Sequence, residues 1–179
     1  MESYNSIKSL CEQGVVEGYK PSAINATSLD IHLGNTILVE RYTDGDQIVD
    51  YRAREKLSME TIKLDPERGY VLRPGEFILA QSEEIFHLPN NIDLEYYLKS
   101  SMARIGLEHL HAGHCDPGWN GSVLTLELKN LTQWHSIRIR PGDAIGQMIF
   151  YKVEEVSKEQ SYSTVGRYNG DKVVSGIKL

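Results

Sequence analysis

A five-residue motif that occurs twice constrains the fold of this chain more than any other feature. Leu-Arg-Pro-Gly-Glu at residues 72–76 and Ile-Arg-Pro-Gly-Asp at residues 139–143 are each followed by an apolar run that contains a glutamine, Gln81 or Gln147. The last four residues of each motif form a candidate turn, and proline at its second position and glycine at its third favour a type II turn. Two such turns among many short apolar runs predict an all-β fold, a distorted β-barrel or jelly roll with little helix.

The alternation of apolar and polar residues after Gly121 predicts a strand with two different faces. Every second residue from 124 to 128 is leucine, and these side chains would point to one side. Glu127 would lie on the opposite face with Val123 and Thr125, residues that favour half-buried surfaces. A carboxylate loses hydration in such a place, so we expect Glu127 to exchange protons near neutral pH.

A tight turn and a polar cluster precede that strand. The turn is Asp116-Pro117-Gly118, in which proline fixes φ and glycine accepts a positive φ, so Asp116 would lie at the rim of the strand. An ordinary hairpin with a solvated aspartate is the alternative interpretation. The polar cluster is KSSMAR at residues 99–104, which follows a second alternating run at residues 92–98. Its two hydroxyl groups, its two cations and the backbone N–H groups at the end of a strand are typical of an anion-binding site.

The first third of the chain predicts a helix and several strands. Residues 3–13 predict a short helix that begins at Ser3 or Asn5 and ends at Gly14, and we expect it to pack as a lid. The run SLDIHLG at residues 28–34 alternates and ends on a turn, as an edge strand does.

A hairpin and a surface segment are predicted next. Residues 37–40 and 48–51 flank Asp44-Gly45, which is a signal for a β-hairpin. Residues 52–66 are charged and predict a surface segment with a short strand near residues 61–64.

Length and charge limit the classes of protein to which this chain can belong. A length of 179 residues suits one domain, residues 1–179, in which residues 157–179 lose the apolar alternation and form a tail. The formal net charge of −6 disfavours nucleic acid as a partner, because polyanion-binding proteins need a basic field.

No apolar run approaches the length that spans a membrane. Two distant cysteines and the lack of a secretory segment predict a reduced, cytoplasmic protein.

Several histidines near Cys115 raise the question of a metal site or a nucleophilic cysteine. His109 and His111 would share a strand face, and His114 lies close to Asp116. The H-x-E and P-C-x-x-C patterns of zinc deaminases do not occur in the chain, so we predict no metal ligands. His114 would point away from Cys115 on a strand and is poorly placed to act as its base. The glycine-rich G-x-x-x-x-G-K-[ST] phosphate loop does not occur either.

The order of these motifs closely resembles the dCTP deaminase branch of the trimeric dUTPase-like superfamily. The resemblance extends over almost the whole chain and rests on SLDIHLG (28–34), KSSMAR (99–104), AGHCDPGW (112–119), LTLEL (124–128), IRPGDAIGQMIF (139–150) and RYNGD (167–171). It implies the fold of that superfamily and hydrolytic deamination of dCTP without a protein-bound metal at the reacting carbon. It also implies Mg²⁺ carried by the triphosphate and a homotrimer whose sites are shared between subunits, so that the tail of one chain could close the site of another.

The resemblance assigns expected roles to individual residues. Glu127 matches the catalytic glutamate, which takes a proton from water as the hydroxide attacks C4; Ser100 and Arg104 match catalytic positions, and Arg104 could also hold Glu127. Asp116 would lie near the sugar, while backbone groups at Thr125 and Leu126 would read the edge of the base. The full set of substrate-binding residues that the resemblance implies is Lys99, Ser100, Ser101, Arg104, Asp116, Thr125, Leu126, Gln147, Tyr162, Arg167 and Asp171.

The hairpin of Gly113, His114 and Cys115 bears on which reaction is completed. Family members that also cleave dUTP to dUMP and diphosphate tend to carry Ala-Gly and an aromatic residue here, so the sequence Ala-Gly-His predicts this bifunctional type. This chain departs from the family pattern in His114, in Cys115, in the spacing around Asp116 and in Asp171, where relatives place glutamine. A deaminase that stops at dUTP, a deaminase of a C5-modified dCTP, a dUTPase and a non-catalytic nucleotide-binding regulator are the alternatives.

Overall fold

The computed structural model describes residues 1–42, 44, 48–52 and 57–178. Helices are few and short, and a 3₁₀ turn at Pro21–Ala23 adds to them. The helices are α1 (Tyr4–Glu12), α2 (Ser100–Arg104) and α3 (Tyr162–Val165), and the strands are β1 (Val16–Glu17), β2 (Leu29–Glu40), β3 (Met59–Lys63), β4 (Tyr70–Leu72), β5 (Phe77–His87), β6 (Ile92–Leu98), β7 (Leu107–His109), β8 (His114–Cys115), β9 (Asn120–Asn130), β10 (Ile137–Ile139) and β11 (Ala144–Lys152).

Antiparallel strands in the described ranges form one large curled sheet and one small sheet. The large sheet has nine strands; its main order is β7-β9-β5-β2-β11-β6-β8, with β1 added to β5 and β3 added to β2. β4 and β10 form the small sheet. The large sheet curls into a half-barrel, which confirms the predicted mostly-β fold with a short N-terminal helix. Within the described residues, no helix is both long enough and apolar enough to span a bilayer.

The two copies of the repeated motif form a single paired structure. β4 leads into the first turn and β10 into the second, and these two strands pair with each other. The glycines of the turns have φ angles of +76° and +83°, as type II turns require. In each turn the backbone N–H of the arginine donates to a carboxylate three residues later, from Arg73 to Glu76 at 2.7 Å and from Arg140 to Asp143 at 2.8 Å.

The predicted alternation is confirmed for residues 124–129 of β9, whereas Val123, expected on a half-buried face, is itself buried. Leu126 and Leu128 are fully buried in the core, whereas Thr125 and Glu127 are half-buried on the other face. The run at residues 92–98 forms β6, in which Ile92, Leu94 and Tyr96 face the core and Leu98 is partly buried.

The expectation that SLDIHLG is an edge strand was wrong. These residues begin β2, which lies inside the sheet between β5 and β11. Leu29, Ile31 and Leu33 are fully buried, but His32 on the opposite face is also buried, with 7% of its surface exposed. A polar residue at that position suggested a solvated face, whereas the histidine is covered and paired with Glu84.

The predicted hairpin around Asp44-Gly45 pairs different residues from those expected. Gly45 lies outside the described residues, and residues 48–51 do not form a strand. β2 pairs instead with β3, at Met59–Lys63, close to the short strand predicted near residues 61–64. Exposure explains the error, because Ile48 and Tyr51, whose apolar character suggested a strand, are more than four-fifths exposed.

The N-terminal helix occupies the predicted residues and packs one face against the core. Ile7 and Cys11 are buried in the hydrophobic core, and Gly14 follows the helix with a φ of +84°. The backbone N–H of Glu2 donates to Phe150 of β11 at 2.7 Å, which ties the start of the chain to the sheet. α1 is therefore part of the core.

The tail after β11 folds back on β9 of the same chain. The backbone N–H of Val123 donates to the carbonyl oxygen of Asp171 at 2.8 Å, so the tail covers one edge of β9. Asn169 accepts a hydrogen bond from the Asn120 backbone at 2.9 Å and donates to the Tyr162 carbonyl at 2.7 Å. These bonds give the tail a fixed position beside β9.

We predict that Ser82→Ala destabilises the fold. The Ser82 hydroxyl is fully buried, donates to the carbonyl of Glu84 at 2.7 Å and accepts from the backbone N–H of Leu124 at 2.8 Å. Alanine leaves both backbone groups without these bonds, which costs about 1–3 kcal/mol. Guanidinium denaturation followed by circular dichroism measures the change, with Ser136→Ala at an exposed serine as the control. Equal midpoints for the two variants would contradict the prediction.

We predict that Asn169→Ala loosens the tail and leaves the sheet intact. The variant loses both side-chain hydrogen bonds that join residue 169 to β9 and to α3. Trypsin should then cleave after Arg167 and Lys172 several-fold faster than in the wild-type protein, as mass spectrometry of a digestion time course can show. Val165→Ala, at an exposed position in the same tail, is the control. Unchanged cleavage rates in Asn169→Ala would show that these bonds do not hold the tail.

Candidate active site

A cavity of about 420 Å³ opens between β9, the hairpin that precedes it and the tail. Its walls combine apolar and aromatic side chains with two acidic groups from the hairpin and β9. The lining residues are Leu79, Ala112, His114, Cys115, Asp116, Trp119, Val123, Leu124, Thr125, Glu127, Tyr162, Tyr168, Asp171, Ser175, Gly176 and Ile177. Of the residues predicted from the sequence, Glu127, Asp116, Thr125, His114, Cys115, Tyr162 and Asp171 therefore share one cavity.

Glu127 presents only part of its carboxylate to this cavity. Its side chain is 24% exposed, but the Oε2 atom is shielded from solvent. Oε2 lies 3.3 Å from Nε2 of His109, a residue of β7 that is 3% exposed. The cavity is therefore faced by a carboxylate with one covered oxygen.

The backbone of Thr125 faces the same space as Glu127. Val123 and Glu127 are its nearest neighbours on the same face of β9, and both direct backbone groups away from β5. The Val123 N–H donates to the carbonyl of Asp171 in the tail, and the Glu127 carbonyl accepts from the Leu110 N–H at 3.2 Å. Alternate residues of a strand direct their N–H and C=O groups to the same edge. Thr125 therefore directs one donor and one acceptor into the gap between the tail and Leu110.

His114 connects two carboxylates at the rim of the cavity. Its Nε2 lies 3.2 Å from Asp116 and its Nδ1 lies 3.5 Å from Asp93. Burial raises the pKa of the Asp93 carboxyl group, which His114 opposes. The Asp116-Pro117-Gly118 turn is present as predicted, since the Trp119 N–H donates to the Asp116 carbonyl at 3.2 Å. Asp116 is thus held at the rim by the turn and by an imidazole.

Gly113 and Cys115 shape the hairpin but bring no reactive group to it. A side chain on Gly113 would place its Cβ 2.6 Å from the carbonyl oxygen of Tyr96, so only glycine fits between β6 and the hairpin. Cys115 is buried, and burial raises the pKa of its thiol, with Asp93 and Asp116 adding to the effect. The thiol therefore stays protonated at neutral pH and is a poor nucleophile.

The tail adds an aromatic wall and a neutralised acid. Trp119 donates from Nε1 to the carbonyl of Tyr168 at 2.9 Å, which holds both rings at the cavity wall. Asp171 forms an ion pair with Lys178, whose ammonium group also lies 5.4 Å from the centre of the Tyr168 ring. Arg167 is exposed and does not line the cavity. The acidic departure from the family pattern is thus compensated by a lysine within the same tail.

The KSSMAR cluster lies away from this cavity in the same chain. Ser100 and Ser101 are exposed on α2. Arg104 lines a second cavity, with the residues around Thr132 and Arg138, and the structure records no contact between it and Glu127 among the described residues. Lys99 forms an ion pair with Asp30 at 2.5 Å.

Two further predicted residues lie in the sheet. Gln147 accepts a hydrogen bond from the Ser28 hydroxyl at 3.3 Å, and Leu126 is buried in the core. One chain therefore brings seven of the fifteen predicted residues together in the cavity, whereas Lys99, α2, Gln147 and Arg167 lie elsewhere.

The histidines considered above as metal ligands are not arranged as expected. His109 and His111 do not share a face as expected: His109 is 3% exposed in β7, whereas the His111 side chain is 87% exposed and its φ is +59°. β7 ends at His109, so the strand alternation stops before His111. Among the described residues, no group of three or more His, Cys, Asp or Glu side chains could hold a metal ion.

Sequence reasoning missed the contacts of His109 and the cavity residues 175–177. The sequence raised His109 only as a metal ligand; its contact with Glu127 follows from the pairing of β7, in which it lies, with β9. Tyr96 belongs to the alternating run at residues 92–98, which gave no sign that its ring lies 4.7 Å from the His109 ring. Residues 175–177 carry no motif, so the sequence alone gave no signal for them.

Comparisons with known proteins agree with this geometry. The model of the family described as dCTP deaminase-like matches residues 2–153. The chain is 40% identical over 140 residues to the "dCTP deaminase, dUMP-forming" of Methanospirillum hungatei, which covers 78% of this chain and 73% of that protein. It is 32% identical over 186 residues to the protein of the same name from Methanopyrus kandleri, which covers 99% of this chain and 94% of that protein.

A solved structure shows the same fold. The 2'-deoxycytidine 5'-triphosphate deaminase of Agrobacterium tumefaciens superposes with a TM-score of 0.66 and 21% identity, over 83% of this chain and 46% of that one. The family match extends over most of the chain, and the two relatives exceed 30% identity over most of their own length. This chain belongs to the dCTP deaminase-like family.

Proposed function

We propose that this chain deaminates dCTP to dUTP and ammonia and then cleaves dUTP to dUMP and diphosphate in the same cavity. Such a reaction supplies dUMP for dTMP synthesis in pyrimidine deoxynucleotide metabolism. The relatives named as dUMP-forming support the proposal, because they are similar over most of the chain. The observation that carries it is Glu127, a half-buried carboxylate that faces a cavity together with Asp116 and the free edge of β9.

Deamination needs a group that moves protons, and Glu127 is placed to do so. A water molecule attacks C4 of the cytosine and gives one proton to the Glu127 carboxylate, so that a tetrahedral centre forms at C4. The carboxyl group gives this proton to N3, then takes the proton of the C4 hydroxyl group and passes it to the amino group, so that ammonia leaves as the C4 carbonyl forms. Ser100 and Arg104 of a neighbouring subunit would stabilise the charge that develops at this centre.

Recognition of the base would use backbone rather than side chains. Thr125 presents a donor and an acceptor at the open edge of β9, and these match the polar edge of a pyrimidine. Leu126 directs its backbone groups to β5 and its side chain to the core, so it would support this edge of the strand without contacting the base. Trp119, Tyr162 and Tyr168 supply aromatic surface that excludes water.

Cleavage of dUTP requires a second water molecule that attacks the α-phosphorus as diphosphate leaves. Asp116, at the rim and 3.2 Å from His114, would hold the sugar and orient this water. Gly113, His114 and Cys115 shape the adjoining wall and would decide whether the second reaction follows the first.

Magnesium fits this site only as an ion that arrives with the substrate. Besides Glu127, the cavity has Asp116 and Asp171, which provide hard oxygen atoms, but each of these two already has a cationic or imidazole partner. The triphosphate would therefore supply the other ligands. When bound, Mg²⁺ neutralises phosphate charge and orients the α-phosphorus for attack.

The position of α2 supports a homotrimer with sites between subunits. Ser100, Ser101 and Arg104 are exposed and lie away from the cavity of their own chain. A neighbouring subunit could bring this cluster, with Lys99 and Gln147, to the phosphates above Glu127. The tail, residues 157–179, would close over the nucleotide with Tyr162, Arg167 and Asp171, and the reaction would take place in the cytoplasm.

We predict that Glu127→Gln abolishes deamination and preserves the fold. Glutamine is isosteric but cannot accept the proton from water, so turnover of dCTP should fall by about 1000-fold or more. Chromatography of the products from dCTP with Mg²⁺ measures this, beside dUTP as substrate. Glu108→Gln, at a partly exposed carboxylate on the neighbouring strand, is the control.

The products distinguish the possible reactions. Formation of dUMP and diphosphate supports the bifunctional enzyme, whereas accumulation of dUTP shows a deaminase alone. Hydrolysis of dUTP without turnover of dCTP would show a dUTPase, turnover of only 5-methyl- or 5-hydroxymethyl-dCTP a changed substrate, and no turnover a nucleotide-binding regulator. Substantial deamination by Glu127→Gln would contradict the role of this residue.

We predict that two inactive variants restore activity when they assemble together. If each site uses Glu127 of one chain and Arg104 of another, co-expressed Glu127→Gln and Arg104→Ala chains form some sites with both residues intact. The expected activity is roughly a quarter of the wild-type value under random mixing. Separately expressed variants, mixed after purification without exchange, serve as the control. Absence of restored activity in verified mixed oligomers would show that each chain builds its own site.

A further inference from the structure

Two buried polar atoms meet behind the cavity without another partner. Nε2 of His109 and Oε2 of Glu127 lie 3.3 Å apart, and both atoms are shielded from solvent. Neither atom forms a hydrogen bond in the part of the chain that the structure describes, and each is the other's contact only as an ion pair. Leaving both unpaired is costly, so the stable arrangement is one in which each serves the other.

The chemistry of these groups determines the direction of that bond. The carboxylate can only accept, and a neutral imidazole donates from one nitrogen alone. A hydrogen on Nε2 of His109 would therefore satisfy both buried atoms. Glu127 would then keep its remaining carboxylate oxygen for the cavity.

Tyr96 fixes the imidazole in this position. The two rings lie 4.7 Å apart between centroids at an angle of 57°, and Tyr96 is 5% exposed. Tyr96 is itself confined, because a side chain on Gly146 would place its Cβ within 2.1 Å of the tyrosine ring. Its backbone N–H donates to the carbonyl of Gly113 at 2.8 Å, which ties it to the hairpin.

Tyr96 and Glu84 do not compete with Glu127 as a negatively charged acceptor for His109. Burial raises the pKa of the Tyr96 phenol, and the negative charges of Glu127 and Glu84 add to the effect, so the phenol keeps its proton. Glu84 is itself paired with His32 at 2.6 Å. Glu127 is thus the acceptor within reach of His109.

We propose that His109 is a positioning residue that donates a hydrogen bond from Nε2 to Oε2 of Glu127 and thereby aims the other carboxylate oxygen at the attacking water. This inference rests on the proposed role of Glu127 as the proton-transfer group. The proton from water goes to the free oxygen of Glu127 and from there to the substrate. His109 keeps its own proton throughout.

Kinetics of three variants test the positioning role. His109→Leu removes the donor, and we expect kcat for dCTP to fall about 100-fold while KM stays within about twofold, since a misplaced catalytic group costs this much. His109→Gln retains an N–H near the Nε2 position and should recover most of the loss. His111→Asn changes an exposed histidine two residues away and should match the wild type. Thermal unfolding of each variant identifies any loss of rate that comes from loss of the fold.

A spectroscopic measurement tests the hydrogen bond independently of turnover. The chain has six histidines, and long-range ¹H–¹⁵N spectra of histidine-labelled protein distinguish the nitrogen that carries the hydrogen in each. We expect the Nε2–H form for His109 in the wild type at pH 8, with its Nε2 signal displaced in Glu127→Gln. The His111 signals should not move.

The outcomes separate this inference from the proposed function. An Nδ1–H form of His109, a signal that ignores Glu127→Gln, or a kcat unaffected by His109→Leu would each overturn the positioning role. A rise in KM without a fall in kcat, or equal losses of kcat in His109→Leu and His109→Gln, would also overturn it. If the wild-type chain does not turn over dCTP, the proposed function fails, and the spectra still decide whether His109 holds Glu127.

Discussion

The pairing of β9 is the constraint on which the candidate site depends. One edge of β9 is occupied by β5, whereas the other edge is shared among β7, Leu110 and the tail. These partners leave Thr125 at a gap. Because the faces of β9 also differ, with leucines in the core and Glu127 opposite, one strand supplies a carboxylate and a free backbone edge to the same cavity. The hairpin and the tail complete a space that β9 defines.

The acidic groups around this cavity are balanced by nearby cationic or imidazole side chains. The chain carries a net charge of −6, and Asp116 and Asp171 add negative groups to the cavity rim. His114 and Lys178 offset them locally. A nucleoside triphosphate would still need cations from elsewhere, and in the proposed trimer Arg104 of a neighbouring subunit would supply one.

Local patterns in the sequence predicted those parts of the fold that local physics determines. The alternation in β9, the two type II turns and the boundaries of α1 all depend on residues near one another in the chain, and the structure confirms them. The position of β2 within the sheet could not be predicted, since it depends on which strands arrive on both sides. For the site, the sequence indicated Glu127 and the Asp116 turn. It could not show that His109 and Tyr96 approach Glu127, because those contacts require β6, β7 and β9 to be assembled.

The tail on β9 also has a consequence for how the chain acquires its structure during synthesis. Asn169 bonds to Asn120 across 49 residues of sequence, so β9 leaves the ribosome well before the segment that covers its edge. Until then the N–H of Val123 lacks its partner in the tail, and an uncovered strand edge is a template for pairing with other chains. The nascent protein would therefore be most prone to aggregation in the interval between the completion of β9 and the emergence of the tail.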